Sequence, residues 1–324
     1  MNIVLASDNN FVQHCAVTML SVLKHNKGVH FFLLTEGLST ENSSYLTELV
    51  FSHSGQLQII EVPSEVVQKF PLPKTASAHI SIATYYRLFI TTLLGADIEK
   101  AIYLDCDMVI LGGLEDLWNT DLSHYTIGAV YQNLGWSDYN QSWSRLNIPR
   151  EEGYFNAGML LLNLKCLREM NFEEKAIQYI KENYNRIISH DQDVLNSLLY
   201  DKTLPLSPKW NYLSLFLNRN IQKISFPDKF HFGIQELASP DFKPIVIHFV
   251  SQPKPWNYGC SNPYKKYYYE TLQLTKWKDY KPQFKWKLYY TSVIYPKLVS
   301  FILKLDVFHL VPKRKNRQIN QSSR

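Results

Sequence analysis

Apolar and polar positions follow two different periods along the first part of the chain. Short runs rich in Val, Ile, Leu and Phe, at residues 2–7, 29–38 and 56–63, are typical of strands. Between them, residues 11–26 and 39–54 repeat apolar positions every three or four residues, as amphipathic helices do. Strands that alternate with helices predict a mostly parallel sheet.

The same alternation continues to residue 250 and then stops. We predict further strands at residues 100–111, 125–132, 154–164 and 243–250, and further helices at residues 80–94, 171–184 and 191–200. These elements predict an α/β fold in which a Rossmann-like, doubly wound sheet of about 250 residues has helices on both faces. A C-terminal helical extension follows. Ligands of such sheets bind at the carboxyl ends of the strands.

Cysteine use and the N-terminus predict the compartment. The four cysteines of the 324-residue chain have no CxxC spacing, which favours a reducing environment over a disulfide framework or a thiolate zinc site. Residues 1–10 lack the basic start and apolar stretch of a signal peptide. We therefore expect a cytoplasmic protein.

Positive charge is concentrated at the C-terminal end. Residues 281–324 hold ten lysines and arginines and one acidic residue, whereas residues 1–280 hold 24 basic and 28 acidic residues. The apolar residues from Leu298 to Leu310 lie between Lys297 and the basic cluster at residues 313–317 and are interrupted by Lys304, so their runs are too short to span a bilayer. This pattern favours a basic amphipathic tail on an anionic membrane surface over nucleic-acid binding. A helix docked on the body, with a solvated basic end, is the alternative.

Two carboxylates, Asp105 and Asp107, follow the apolar run "KAIYL". Like charges this close repel one another, so we expect a positive group between them. His248 lies near the end of the last predicted strand. Two carboxylates and an imidazole suit Mn²⁺ better than Mg²⁺, which is the alternative ion. Taken singly, the acids could be solvated and the histidine could be a packing residue.

The run "YLDCDMV" also permits a second interpretation. An Asp-x-Asp after an apolar strand is found in haloacid-dehalogenase-like phosphatases, where the first Asp is the nucleophile. That fold opens with this strand, whereas here about a hundred residues of predicted α/β structure precede it. The phosphatase interpretation is therefore the weakest of those considered.

Other polar residues lie where a nucleotide could bind. No Gly-x-Gly-x-x-Gly or P-loop pattern is present, but Asp8 and Asn10 follow the first strand and could contact a base and ribose. Arg87 stands alone in an apolar helix pattern and fits either a buried ion pair or a diphosphate ligand. Lys254 is placed to meet an anion. For Asp8 and Asn10, helix capping is the ordinary alternative.

Seven stretches in order together resemble the family 8 glycosyltransferases, most closely the bacterial lipopolysaccharide α-galactosyl- and α-glucosyltransferases. They are "VLASDNNF", "HISIATYYRL", "YLDCDMVI", "LWNTDL", "YFNAGMLLLNL", "DQDVLN" and "IHFVSQPKPW". The resemblance implies a GT-A fold, a UDP-sugar donor, Mn²⁺ and retention of the anomeric configuration. We predict a catalytic GT-A domain over residues 1–256, a C-terminal wrap over residues 257–280 and the basic amphipathic, membrane-associating tail over residues 281–324.

The resemblance further assigns expected roles by motif. The expected metal ligands are Asp105, Asp107 and His248. Ala6, Asp8 and Asn10 match positions at uridine, and Arg87 and Lys254 match positions at the diphosphate. His79, Asn156, Asp191 and Gln192 match positions around the donor sugar and the reaction centre. Gln132 departs from the pattern, because galactosyltransferase relatives carry Asp there.

By resemblance, the chain is expected to transfer galactose or glucose from UDP to a lipopolysaccharide or lipooligosaccharide acceptor. The expected place of action is the cytoplasmic face of the inner membrane, reached through the basic tail. The alternative from another class is an inactive adaptor of the same fold that binds a sugar nucleotide or a glycan.

Overall fold

The computed structural model describes residues 1–68, 82–132, 142–217, 231–250, 252–284, 286–295 and 297–298. The chain divides into two compact units. The larger unit comprises Met1–Val250 and Asn262–Asp279, and the smaller comprises Ser251–Ser261 and Tyr280–Arg324. The domain limits at residues 256 and 280 stay predictions.

Strands and helices alternate through the larger unit. Its strands are β1 (Asn2–Ala6), β2 (His30–Thr35), β3 (Gln56–Glu61), β4 (Lys100–Leu104), β5 (Met108–Ile110), β6 (Ile127–Tyr131), β7 (Phe155–Asn163), β8 (Thr203–Pro205), β9 (Tyr212–Leu213) and β10 (Val246–His248). Seven of them form a sheet in the order β3-β2-β1-β4-β7-β6-β8. Only β7 runs antiparallel to its neighbours, so the predicted mixed, mostly parallel sheet is confirmed.

Helices cover both faces of this sheet. The α-helices of the larger unit are α1 (Val12–Leu23), α2 (Thr40–Ser52), α3 (Ser64–Gln68), α4 (Ile90–Leu93), α5 (Glu115–Trp118), α6 (Ser142–Leu146), α7 (Leu164–Glu169), α8 (Phe172–Asn183), α9 (His190–Leu199), α10 (His231–Ala238) and α11 (Lys265–Leu272). Short 3₁₀ helices lie at Ile82–Phe89, Arg150–Glu152, Tyr184–Arg186, Tyr200–Lys202, Pro208–Trp210 and Ser214–Leu217. The smaller unit contains α12 (Trp286–Tyr289) and a π-helical turn at Tyr290–Ile294.

Alternate residues of the central strands enter two different cores. Leu104 of β4 belongs to the core that includes α1, whereas its neighbour Tyr103 belongs to the core that includes α8 and α9. This is the two-residue period expected of a strand that is buried on both faces. The predicted placement of helices on both sides of the sheet is confirmed.

The single strand predicted over residues 100–111 is in fact two strands. β4 ends at Leu104 in the large sheet, and β5 begins at Met108 in a separate three-stranded sheet of order β5-β10-β9. The intervening residues Asp105–Asp107 carry the chain from one sheet to the other. Both halves are apolar and buried, so the pattern itself gave no sign of the break.

The helix predicted over residues 80–94 also differs. Its described part is a 3₁₀ helix, Ile82–Phe89, followed by one α-helical turn, Ile90–Leu93. Large aromatic side chains, including the buried Tyr85, Tyr86 and Phe89, crowd this segment. Tertiary packing has therefore overridden the helical period.

Among the described residues, no helix is both long enough and apolar enough to cross a membrane.

Candidate functional site

The turn between the two sheets brings two carboxylates beside β7. The backbone N–H of Asp105 donates to the carbonyl of Gly158 over 2.8 Å, which extends the antiparallel pairing of β4 with β7 by one residue. Asp107 lies two residues further on, immediately before β5. Both expected acidic ligands therefore lie at the carboxyl end of a strand of the large sheet.

His248 reaches the same place from the small sheet. Its strand β10 pairs antiparallel with β5, so His248 lies opposite Met108, and the N–H of Phe249 donates to the carbonyl of Asp107 over 3.0 Å. Nε2 of His248 is 3.1 Å from Oδ1 of Asp107 and 3.8 Å from Oδ2 of Asp105. The sequence assigned this histidine to the large sheet, but it belongs to the small one.

These three side chains form a group whose ligand atoms and spacing suit a bound cation. One ligand atom each from Asp105, Asp107 and His248 lies within 4.8 Å of the others. Gly158 lies directly against this group. A methyl group on its Cα would be only 2.7 Å from Oδ2 of Asp105, so a larger residue would displace the carboxylate. Two carboxylates and one imidazole nitrogen are a suitable donor set for Mn²⁺.

Arg87 forms buried ion pairs with Asp105 and with Asp191. Its Nη2 is 2.7 Å from Oδ1 of Asp105, and its Nε is 2.9 Å from Oδ2 of Asp191. Nη1 donates to the carbonyl of Ala157, and the guanidinium lies 4.3 Å from the ring centroid of Tyr103. Of the two roles that the sequence left open for Arg87, the structure contains the buried ion pair; the diphosphate role stays a prediction.

Asp191 is almost fully buried in the first turn of α9. The pKa of its carboxyl is raised from 3.8 to about 7, mainly by burial. Arg87 acts in the opposite direction, and the nearby charge of Asp105 contributes to the rise. The carboxyl therefore has a pKa close to neutral pH. Strongly shifted pKa values of this kind are concentrated at functional sites.

Gln192, the next residue of α9, faces β7. Its Oε1 accepts hydrogen bonds from the N–H of Ala157 over 3.0 Å and from Nδ2 of Asn156 over 3.2 Å. The helix is fixed to β7 by Asn196, whose side chain both accepts from the N–H of Phe155 and donates to its carbonyl. Gln192 is thus held by its own bond to the backbone of Ala157 and by the bonds of Asn196, one turn further along α9, to the backbone of Phe155.

Asn156 joins several of these groups. Its Oδ1 accepts from the N–H of Gly158 and from Nδ2 of Asn211, and its Nδ2 also lies 3.2 Å from Oε1 of Gln132. Gln132, the residue that departs from the family pattern, is therefore in contact with the expected reaction centre.

The expected uridine-binding positions follow β1, which is the neighbour of β4 in the sheet. Oδ1 of Asp8 accepts from the N–H groups of Asn10 and Phe11, each over 2.9 Å, so the carboxylate closes the turn that precedes α1. The thiol of Cys106 donates to the carbonyl of Ala6 over 3.3 Å. Ala6 therefore adjoins the Asp105–Asp107 turn, whereas nucleotide binding at these positions stays a prediction.

The remaining two expected site residues are His79 and Lys254. His79 lies outside the described residues. Lys254 belongs to the smaller unit, where its N–H donates to Oδ1 of Asn257 over 2.9 Å. Their assignments to the donor sugar and the diphosphate stay predictions.

Sequence reasoning missed several residues that build the site. Asp193 is fully buried and accepts hydrogen bonds from the N–H groups of Ile188 and Ser189, from the Tyr154 hydroxyl and from Arg145. In the sequence it looked like an ordinary acid in the first turn of a helix. Gly158 had a usable signal, because a glycine inside an apolar strand often marks a close approach of another group.

The chain is similar in sequence to known transferases. The profile of a family described as "Glycosyl transferase family 8" matches residues 2–260. General stress protein A of Bacillus subtilis is 28% identical over 283 residues, which cover 86% of this chain and 94% of that protein. Lipopolysaccharide 1,2-glucosyltransferase of Escherichia coli is 26% identical over 286 residues, which cover 87% and 80%. Lipopolysaccharide 1,3-galactosyltransferase of Salmonella typhimurium is 26% identical over 288 residues, which cover 85% and 79%.

The fold is also similar to that of a solved structure. A crystal structure of the galactosyltransferase LgtC, in complex with donor and acceptor sugar analogues, matches with a TM-score of 0.76 and 25% identity. The match covers 90% of this chain and 100% of that one.

Proposed function

Because the chain belongs to glycosyltransferase family 8, we propose that it transfers galactose or glucose from a UDP-sugar to a lipopolysaccharide or lipooligosaccharide acceptor. The proposal includes dependence on Mn²⁺, with Mg²⁺ as the alternative ion, and retention of the anomeric configuration. The two lipopolysaccharide transferases among its relatives support the class of acceptor.

The observation that carries the proposal is the convergence of Asp105, Asp107 and His248 from two sheets. A divalent cation bound there would neutralise charge that develops on the departing diphosphate. Arg87 forms an ion pair with Asp105 and a second one with Asp191, and so connects the two carboxylates. Asp105 and Asp191, an acid of the expected reaction centre, thus share one buried guanidinium, which links their positions.

Retention of configuration fits best with attack of the acceptor on the same face that the leaving group departs from. Gln192 is a poor nucleophile, because it is a neutral amide and its oxygen already accepts two N–H donors. Asp191 is buried and paired with Arg87. We therefore propose that neither side chain forms a covalent sugar adduct, and that a donor phosphate oxygen takes the acceptor proton.

The remaining donor contacts are proposed from the family motifs. Ala6, Asp8 and Asn10 would contact uridine, and His79 and Lys254 would contact the sugar and the diphosphate respectively. Asn156 would orient the donor sugar next to Asp191 and Gln192. Support for this arrangement comes from the contact between Ala6 and the Asp105–Asp107 turn.

The direct test measures UDP release from UDP-galactose and UDP-glucose with truncated lipooligosaccharide as acceptor, in Mn²⁺ and again in excess EDTA. We expect Mn²⁺-dependent release and a product heavier than the acceptor by one hexose. Binding of UDP-sugar without release from either donor would favour the adaptor. Release of inorganic phosphate from phosphate esters without sugar transfer would favour the phosphatase.

We also propose that the tail over residues 281–324 places the protein on the anionic cytoplasmic face of the inner membrane. Support comes from its basic charge and from exposed aromatic and aliphatic side chains in the smaller unit. These side chains are Tyr258, Phe284, Trp286, Tyr290, Tyr295 and Leu298. Trp and Tyr are enriched at membrane interfaces, where one end of the ring is apolar and the other is wet.

Cosedimentation with vesicles tests the tail. The full chain should bind vesicles that contain anionic lipid and not neutral ones, and binding should weaken as salt is raised. A chain that ends at residue 280 should lose this binding and keep UDP release. Equal binding by the two forms would refute membrane attachment through the tail and support a tail docked on the body.

A further inference from the structure

Asn211 connects the two sheets through side-chain hydrogen bonds. It lies just before β9, which pairs in parallel with β10, and it is fully buried. Its Oδ1 is 2.9 Å from Nδ1 of His248, and its Nδ2 donates to Oδ1 of Asn156 over 2.9 Å. No motif in the sequence marked this residue.

The direction of each of these hydrogen bonds follows from a backbone group that cannot rotate. The N–H of Gly158 is a donor only, so the Asn156 atom 3.0 Å away is its oxygen. The Asn211 atom that contacts this oxygen must then be the amide nitrogen. The other end of the Asn211 amide, which faces His248, is therefore an oxygen.

An amide oxygen only accepts, so Nδ1 of His248 must carry the proton. The other ring nitrogen, Nε2, is 3.1 Å from Oδ1 of Asp107 and 3.8 Å from Oδ2 of Asp105. A divalent cation held by the two carboxylates would need an unprotonated imidazole nitrogen as a further ligand, and with the proton on Nδ1 that nitrogen is Nε2.

The same chain of amides extends away from the metal-ligand candidates. Nδ2 of Asn156 donates to Oε1 of Gln192, which also accepts from the backbone N–H of Ala157. Backbone donors at Ala157 and Gly158 thus fix the orientation of the Gln192 and Asn156 amides. One row of hydrogen bonds runs from His248 through Asn211 and Asn156 to Gln192.

We propose that Asn211 is a positioning residue that holds His248 in the Nδ1-protonated tautomer and links this histidine, through its hydrogen bond to Asn156, to the Gln192 amide. This inference rests on the proposed function for the role of Gln192, but its first part concerns only the histidine and its cation. Residues that orient a metal-binding histidine typically contribute 10–100-fold to metal affinity.

The test uses the full-length protein and two variants. Nitrogen NMR of the metal-free wild type should show His248 with Nδ1 protonated, in a spectrum assigned with a His248→Gln variant. Asn211→Ala should lower Mn²⁺ affinity, measured by electron paramagnetic resonance without donor or acceptor, by about 10–100-fold. Asn211→Asp keeps an acceptor for Nδ1 but loses the donor to Asn156, so it should bind Mn²⁺ better than Asn211→Ala and still show a reduced kcat.

Asn26→Ala is the matched control, because Asn26 is also a buried asparagine with its amide bonded to backbone groups, Val22 and Leu114. It should lower stability and leave Mn²⁺ affinity unchanged. Protonation of Nε2 with Nδ1 unprotonated in the wild type would overturn the proposal, as would equal Mn²⁺ affinities of Asn211→Ala and Asn26→Ala.

The two proposals fail in distinguishable ways. A wild type that binds Mn²⁺ through the predicted tautomer but never releases UDP would retain the role of Asn211 at His248 and lose the transferase. A wild type that releases UDP, with Mn²⁺ affinity indifferent to Asn211, would retain the transferase and lose the role of Asn211.

Discussion

Gly158 and His248 approach so closely that no side chain fits between them. A methyl group on the Cα of Gly158 would lie 2.2 Å from Cε1 of His248, well inside van der Waals contact. We expect Gly158→Ala to displace the imidazole, to lower the free energy of unfolding by about 1–3 kcal/mol, and to weaken Mn²⁺ binding. Chemical denaturation and titration calorimetry measure the two effects.

The control for this variant is Gly113→Ala, since no atom lies within 4 Å of a methyl group there. It should change neither quantity. Wild-type Mn²⁺ affinity in Gly158→Ala would show that His248 does not bind the ion from its observed position.

Removal of one acidic ligand should abolish cation binding without unfolding the protein. We expect Asp107→Asn to eliminate the increase in melting temperature that Mn²⁺ gives the wild type, because a neutral amide is a weaker ligand than a carboxylate. UDP release should fall in parallel, and EDTA should have no further effect on the variant. Asp116→Asn, at an exposed acid, should behave as wild type. A full Mn²⁺ response in Asp107→Asn would exclude Asp107 as a ligand.

Loss of Arg87 should be costly, since it leaves Asp105 and the buried Asp191 without their shared cation. We expect Arg87→Ala to lower the free energy of unfolding by about 3–5 kcal/mol. In the double variant with Asp191→Asn the loss should be smaller than the sum of the two single losses. Lys202→Ala, which breaks an exposed ion pair with Asp201, should cost less than about 1 kcal/mol. Strict additivity of the two buried changes would contradict the ion pair.

The raised pKa of Asp191 predicts a pH dependence of stability. Its pKa rises from 3.8 to about 7 on folding, so between these values the folded state binds the proton more tightly than the unfolded state. The contribution to stability is present at acid pH and is lost as pH rises toward 7, by at most about 1.4 kcal/mol per pH unit. Denaturation in EDTA should show wild type losing stability relative to Asp191→Asn from pH 4 to 7. A difference that is constant with pH would contradict this.

Asp193 should matter for rate rather than for metal binding. It accepts two backbone N–H groups at the start of α9 and pairs with Arg145. Asp193→Asn should lower stability by about 3–5 kcal/mol and, by loosening the turn that carries Gln192, lower kcat with unchanged Mn²⁺ affinity. Tyr154→Phe removes a single hydrogen bond to the same carboxylate and should cost about 1 kcal/mol.

The order of elements in the large sheet was predictable because each element repeats its apolar residues at the period of one kind of structure. β1, α1, β2, α2 and β3 lie within a few residues of their predicted positions. The break at Asp105–Asp107 was not predictable, since apolar runs on both sides are equally suited to one long strand. The small sheet depends on pairing between β5 and β10, which are far apart in sequence.

The same distinction applies to the site. Asp105, Asp107 and His248 were predicted as a group because two like charges adjoin after an apolar run, a histidine lies near the end of the last predicted strand, and all three belong to the family motifs. Asn211 was not found, because a single asparagine between short elements is typical of a turn. Its role arises only when β9 and β10 pair, which no local pattern encodes.

The crossing of the chain between two sheets at residues 105–107 has a consequence for folding. An ion bound by Asp105, Asp107 and His248 would connect the end of β4 to β10, which lies about 140 residues later in the sequence. It would do so only in the native state, where these strands are close together. Ligands with this preference stabilise proteins by about 2.7 kcal/mol at a hundred times their dissociation constant. Cellular manganese would then govern how much of the chain survives proteolysis, in addition to how fast it turns over.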